Sequence, residues 1–349
     1  MRGDILGIRQ LVIDYLERHA RGAFAFWTAK EPQDVPLIDI CDTLYAMELV
    51  GASEMLADDA GDRFATRLSQ FRLAGAIGCG HGEPVGIHGT AYALGTLNLL
   101  TASRLCRLND IFALRDWNIE ELLHPRTLLP RWPARYSHHS WRVSHWIGGV
   151  PSILKSLWTL VPFLAKQNKL PTVEGVLERA DSLIDGKTGL LRAYKFTPLQ
   201  ALFRLLYRLR HDPKVGDVGG IAHLHWVNYA SGRMPYRAND ALFARAWKVL
   251  QRKPFIEAVP YCIDFDAIQL VRTAIPAMHD LRAQFELRAL KYADDLCRFY
   301  AKRLDGDYPL HKLPGGLATL HECALATGEA RVRGLEIPPL DIARKAYWI

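Results

Sequence analysis

A weak internal repeat constrains this chain more than any other feature. Six segments each open on a polar or glycine-rich stretch and continue as a run of small and apolar residues. They are DICDTLYAMELVGA (39–52), GIHGTAYALGTLNLL (86–100), SHWIGGVPSILKSL (144–157), GGIAHLHWVNYASG (219–232), YCIDFDAIQLVRTAI (261–275) and PGGLATLHECALATG (314–328). Anchors at Asp42 and Gly316 span five intervals, about 55 residues per unit, and six such units fill the 349 residues. Amphipathic stretches lie between them at 5–19, 62–72, 173–184, 240–251 and 281–303. The first carries Leu6, Ile8, Leu11, Val12, Tyr15 and Leu16, the stripe of a helix with one buried face. Alternating β-branched runs are scarce. Gly and Pro cluster at 75–89, 125–133, 212–220, 305–316 and 334–339, which reads as punctuation between helices. The expected class is all-α.

Two kinds of helix in alternation imply a geometry. Helices of small apolar residues pack closely as an inner ring, and helices with Arg, Lys and Glu faces surround them. This pattern resembles the (α/α)6 toroid of six-hairpin glycosidases, several polysaccharide lyases, and the terpenoid-cyclase and prenyltransferase barrels. The turn Asp185-Gly186-Lys187-Thr188-Gly189-Leu190 is similar to the D-x-x-T-G-L turn of six-hairpin carbohydrate enzymes. The resemblance implies one α/α-toroid domain, 1–349, with inner and outer rings of about six helices each. A split into two domains would fall at Lys169-Leu170-Pro171, but the repeat runs through it. The third unit is the least regular.

Composition narrows the class. Hydrophobic residues are 49% and charged residues 23%, ordinary for a globular chain with a sizeable core. No apolar run reaches the roughly 18 residues of a membrane span. Asp4, Arg9 and Asp14 stand where a signal peptide would be apolar, so a cytoplasmic protein is expected. Six Cys without CxxC indicate reduced thiols. The net charge of +7 is spread along the chain and no nucleic-acid-reading motif is present, so the expected partner is a small molecule or oligosaccharide, anionic at most, not a nucleic acid.

In a toroid the inner helices run parallel, and their N-termini, with free N–H donors and partial positive charge, meet at one mouth. The openings of the six segments therefore nominate a site. They hold Asp39, Asp42, His81, His88, His138, His139, His145, His223, His225, Asp264, Asp266, His311, His321 and Glu322, with Tyr45, Tyr92, Trp141, Trp146, Tyr194, Trp226 and Tyr229 among the aromatics. Two carboxylates across a cavity suit glycoside hydrolysis, one as acid and one as base or nucleophile. Asp42 in unit one and Asp264 or Asp266 in unit five fit that role. Asp is also a favoured helix cap, which would account for Asp42 and for one of the other two. His145 and His223 are candidates for acid–base work near neutral pH. His88, His225 and His321 suit hydrogen bonds to sugar hydroxyls. Trp146 and Trp226 suit stacking on a sugar face, Tyr194 lies beside them in role, and Arg233 suits an anionic group on the substrate. His223-Leu224-His225 and His138-His139 lack metal-ligand spacing, no cofactor motif is present, and neither metal nor cofactor is expected. Cys41, Cys262 and Cys323 read as small core fillers.

The resemblance and these residues imply a carbohydrate-active enzyme acting on an oligosaccharide by hydrolysis or β-elimination. An isoprenoid cyclase or prenyltransferase is the alternative. Asp264-Phe265-Asp266 matches only part of an acidic D-x-D-D motif, since Ala267 follows. A non-catalytic binding ring is a third reading, indicated if the openings leave no free carboxylate.

Overall fold

Each of the six repeat segments lies on a helix in the computed structural model. The structure describes residues 7–29, 35–74, 77–78, 83–100, 147–182, 184–187, 189–190, scattered positions between 198 and 208, 212–233, 239–274 and 281–349. Among these residues there are 14 α-helices and three very short strands, so the chain is all-α. In chain order the helices are α1 (Ile8–His19), α2 (Arg21–Thr28), α3 (Leu37–Leu49), α4 (Ala60–Leu68), α5 (Ile87–Leu99), α6 (Gly149–Leu160) and α7 (Pro162–Gln167). They continue as α8 (Val173–Asp181), α9 (Pro213–Ala230), α10 (Asn239–Leu250), α11 (Cys262–Ala274), α12 (Arg282–Arg303), α13 (Leu313–Thr327) and α14 (Ile342–Ala346). Strand β1 (Phe71–Leu73) pairs antiparallel with β2 (Ile77–Gly78) and parallel with β3 (Glu83–Pro84).

The two kinds of helix differ in burial as the sequence pattern predicts. In α13 every residue from Leu313 to Ala324 is buried, because Gly, Ala and Thr let neighbours approach on all sides. Gly315 shows the tolerance: a Cβ there would sit 2.4 Å from the backbone nitrogen of Cys262 at the start of α11. In α12 burial is confined to one stripe, Phe285, Arg288, Ala289, Tyr292, Ala293, Leu296 and Tyr300, at helical spacing. The six small-residue helices pack in succession, α3 on α5, α5 on α6, α6 on α9, α9 on α11, α11 on α13 and α13 back on α3. Against them pack α2 on α3, α8 on α6 and α9, α10 on α11, and α12 on α13. One continuous cluster of buried apolar residues runs from Ile8 to Ile349, and Trp158 donates to the Pro171 carbonyl at 3.0 Å.

One boundary departs from expectation. The Gly-rich stretch 212–220 is not a separator but the first two turns of α9. Asp212 Oδ1 caps that helix by accepting from the Lys214 N–H at 2.8 Å, and Pro213 occupies its first position, where a missing N–H costs nothing. Among the described residues no helix is long and apolar enough to cross a membrane.

The chain's last segment occupies a distinctive place. Residues 340–349 hydrogen-bond to five of the six small-residue helices and ion-pair with the sixth. Tyr45 of α3 donates to the Trp348 carbonyl (2.6 Å), Asn98 of α5 to that of Ala346 (3.4 Å), and Ser152 of α6 to that of Tyr347 (3.0 Å). Tyr229 of α9 donates to Asp341 Oδ2 (2.6 Å), Arg272 of α11 lies 3.8 Å from the same oxygen, and His321 of α13 accepts the Leu340 N–H (2.9 Å). Gly95 has no side chain to obstruct it: a Cβ there would meet the Ala346 carbonyl at 3.1 Å.

Candidate functional site

The early turns of α3 and α5 and the short 3-10 turn before α13 bring titratable groups together. Asp42 lies in the second turn of α3, whose first residue is Leu37 with Pro36 before it, so Asp42 does not cap that helix. Its carboxylate is fully buried. Tyr92 of α5 donates to Asp42 Oδ1 at 2.7 Å, and His311 Nδ1 lies 3.0 and 3.1 Å from the two carboxylate oxygens. The His311 side chain is 56% exposed, so a buried carboxylate orients an imidazole that solvent can reach. The hydrogen bond that Asp42 accepts from His311 raises the His311 pKa above its ordinary value, against a smaller opposing effect of burial. Asp39, one turn earlier on the same face of α3, is half-buried, and burial followed by the Asp42 charge raises its pKa.

Aromatic rings surround this pair. His88 stacks parallel to Tyr92 at 6.2 Å and meets His311 edge-on at 6.0 Å, and Tyr92 stacks on Tyr45 at 4.6 Å. Beneath His88 lies Trp348, fully buried, whose indole N–H reaches His88 Nδ1 at 3.2 Å. Trp348 also packs on His223 at 4.7 Å and Trp226 at 5.8 Å, and Trp226 packs on Phe265 at 5.4 Å. A cleft of about 640 Å³ opens between the starts of α3 and α5, lined by Leu37, Ile38, Arg67, Phe71, Val85 and Gly86, and none of Asp42, His88, Tyr92 and His311 lines it.

Asp42 and His88 thus share one locality, and Trp348 connects His223 and Trp226 to it. The other expected residues go elsewhere. Asp264 takes the backbone N–H groups of Ile256 (3.0 Å) and Tyr261 (2.9 Å) and the hydroxyl of Tyr292, so its carboxylate ties the 255–261 loop to α11 and α12. Burial raises its pKa to about 6, and these donors oppose the rise. Asp266 is fully buried with no hydrogen-bond partner among the described residues, and burial, followed by the Asp264 charge, raises its pKa well above its ordinary value. His225 Nε2 bonds Thr273 Oγ1 across α9 and α11 at 2.7 Å. Arg233, at the far end of α9, pairs with Asp181 (2.8 Å) and Glu174 (3.0 Å) and bonds Asn228. His321 accepts from Leu340 at Nδ1, so Nε2 carries the proton and donates to the Leu49 carbonyl at 2.7 Å. Burial lowers the pKa of His223 and His225 to about 3 and of His321 to about 4, keeping all three neutral. His145, Trp146 and Tyr194 lie outside the described residues, as do His81, His138, His139 and Trp141.

Among the described residues of 185–190, Asp185 Oδ1 accepts from the Lys187 N–H at 2.8 Å, and Gly189 adopts φ 68°. That is ordinary turn chemistry. Burial pushes the thiols of Cys41, Cys262 and Cys323 up, away from the thiolate a nucleophile needs. Among the described residues no group of three or more His, Cys, Asp or Glu could hold a metal ion. A buried ion pair, Arg272 Nε to Glu322 Oε2 at 2.5 Å with Tyr229 and Asp341 beside it, joins α11, α13 and α9 to the last segment.

Sequence reasoning placed His311 in the convergent set without a role, and it missed Trp348 altogether. His311 had a usable signal, a polar opening just ahead of the Pro314-Gly315 helix start. Trp348 had only an apolar Tyr-Trp-Ile run, which does not tell where it packs. No family model, no curated protein and no solved structure matches the chain.

Proposed function

We propose that the chain is an (α/α)6 toroid and that the Asp42–His311 pair at the mouth of its inner helices is the acid–base centre of an enzyme acting on a small or oligomeric saccharide. The closed order of packing among six small-residue helices supports the toroid, and so does the last segment, which has polar contacts to each of the six. The observation that carries the chemistry is the half-exposed imidazole held by a buried carboxylate. Asp42 occupies Nδ1, which leaves Nε2 as the ring atom for a substrate, the same division of labour as in a hydrolase His–Asp pair.

This arrangement favours proton transfer at carbon over carboxylate-pair hydrolysis. Asp264 is bound by three donors and Asp266 is enclosed, so neither serves as the second carboxylate of a glycosidase. In a uronate, His311 Nε2 takes the proton from the carbon bearing the carboxylate. The electron pair moves onto the carboxylate oxygens and returns to expel the oxygen on the β carbon, which leaves with a proton. Epimerisation would begin with the same abstraction and end with return of a proton to the opposite face. Asp39, with its raised pKa, is placed to hold the second proton.

The engagement of Asp42 and Asp264 also favours a second reading, a ring that binds saccharide without turnover. One experiment separates the two. Neutral and uronate oligosaccharides are incubated with the protein in deuterium oxide and followed by NMR. Elimination gives an alkene, epimerisation places deuterium on carbon, and hydrolysis gives a new reducing end. Thermal stabilisation without any of these products supports the binding ring, and no stabilisation by any saccharide refutes both.

A further inference from the structure

We infer that Tyr92 is the positioning residue of the Asp42–His311 pair: its hydroxyl supports Asp42 as a carboxylate while His311 is neutral and able to accept a proton. Asp42 is fully buried, and among the described residues two groups donate to it. The Tyr92 hydroxyl reaches Oδ1 at 2.7 Å, the same oxygen that His311 Nδ1 approaches at 3.0 Å. A charged His311 gives the carboxylate an opposite charge. A neutral His311 leaves a bare charge out of water, where each remaining donor counts. The neighbouring hydroxyl of Tyr45, stacked on the Tyr92 ring at 4.6 Å, is engaged elsewhere, with the Trp348 carbonyl at 2.6 Å. Burial, followed by the Asp42 charge, raises the Tyr92 pKa well above its ordinary value, so the hydroxyl stays a donor wherever an imidazole titrates.

Other titratable groups surround the pair. They are Asp39, Cys41 and Tyr45 on α3, Tyr15 on α1 and His88 on α5. Lys312 follows His311, with Nζ 5.0 Å from the centre of the Tyr261 ring. Burial raises the Tyr15 pKa to about 12 and pushes the Cys41 thiol and the Tyr45 hydroxyl up, so all three are neutral near pH 7. On the acid–base reading proposed above, Tyr92 sets the pH at which the base is ready. His311 abstracts a proton only when neutral, and without the Tyr92 hydroxyl it would hold its own proton to higher pH. The role in turnover rests on that reading; the hold of Tyr92 on the pair does not.

The test is a nitrogen-15 NMR pH titration of His311 in the full-length protein, with Tyr92→Phe alongside. The Phe variant keeps the buried ring and removes the donor. Its His311 midpoint is expected above that of the wild type by about 0.5–1 pH unit. Site-specific replacement of Tyr92 by a ring-fluorinated tyrosine, a stronger donor of nearly the same shape, should lower the midpoint. A merely structural role would not move it in opposite directions. An unchanged or lower midpoint in Tyr92→Phe overturns the proposal, as does an unchanged or higher one with the fluorinated ring. Should Tyr92→Phe fail to fold, the fluorinated protein decides alone. Where uronate turnover is found, the acid limb of the kcat/KM profile in Tyr92→Phe should move up in pH with the midpoint. A raised midpoint with an unmoved rate profile would support the hold of Tyr92 on the pair and overturn its role in turnover.

Discussion

Asp42 and Asp264 begin alike and end differently. Each is a fully buried carboxylate near the start of a small-residue helix, and each accepts from a tyrosine, Tyr92 in one case and Tyr292 in the other. The remaining partners set them apart. Asp264 takes two backbone N–H groups, which never change protonation and which it pins in place. Asp42 takes an exposed imidazole, which does change protonation and which can meet a second molecule. A buried carboxylate with backbone partners is a strut, whereas one with a titratable, solvent-reached partner is the hidden half of a possible reactive pair. Burial alone does not distinguish them; the chemistry of the donors does.

The comparison can be broken most forcefully at Asp264. Asp264→Ala strands two backbone donors and a tyrosine hydroxyl in the core, and should cost about 4 kcal/mol in urea denaturation. A cost near that of a surface substitution would show that the loop is held by something else. At the other site the expectation reverses. His311→Gln should lower turnover by about a hundredfold or more while shifting stability by less than about 1 kcal/mol, because the side chain is half exposed. Comparable losses of stability in the two variants would erase the distinction between strut and site.

Acid dependence sharpens the same contrast. His223, His225 and His321 are neutral when folded and titrate near their ordinary value when unfolded. Below about pH 6.5 the unfolded chain binds protons that the folded chain refuses, so stability falls toward pH 4, by up to ~1.4 kcal/mol per pH unit for each group. Asp264 opposes this. Folded, it holds its proton up to about pH 6, which favours the folded state as pH falls below that value. His321→Gln should therefore flatten the loss between pH 6.5 and 4 in denaturation curves at stepped pH, and Asp264→Asn should steepen it. His311 has the opposite sign to the buried histidines. Its raised pKa contributes stability present below pH 6.5 and lost as pH rises through the folded value. The smallest effect is expected at the last segment: Ser152→Ala removes one hydrogen bond to the Tyr347 carbonyl and should cost about 1 kcal/mol by thermal unfolding.

Local pattern made part of this legible. Helical spacing and small-residue composition are properties of neighbours in sequence, and they located the six small-residue helices and most of the amphipathic ones. The openings of those segments also nominated Asp42 and His88, which lie near one another around Tyr92. What stayed hidden depends on contacts between residues far apart in the chain. Asp264 and Asp266 look equivalent in an apolar string, and only Tyr292 and the 255–261 backbone separate a bonded carboxylate from an enclosed one. Several polar groups nominated for a sugar instead hold the chain's own last segment: His321 binds Leu340, and Tyr229 binds Asp341. Nor does periodicity tell that Trp348, far along the chain, packs between His223 and Trp226.

The contrast between the two carboxylates turns on whether Asp42 controls the protonation of His311. The most direct measurement is an NMR pH titration of the His311 ring in the wild type and in Asp42→Asn. The wild-type midpoint is expected above about 6.5 and should fall toward or below that ordinary value when the carboxylate becomes an amide. A midpoint that does not move on substitution would contradict it, and would leave His311 an exposed histidine with no catalytic assignment.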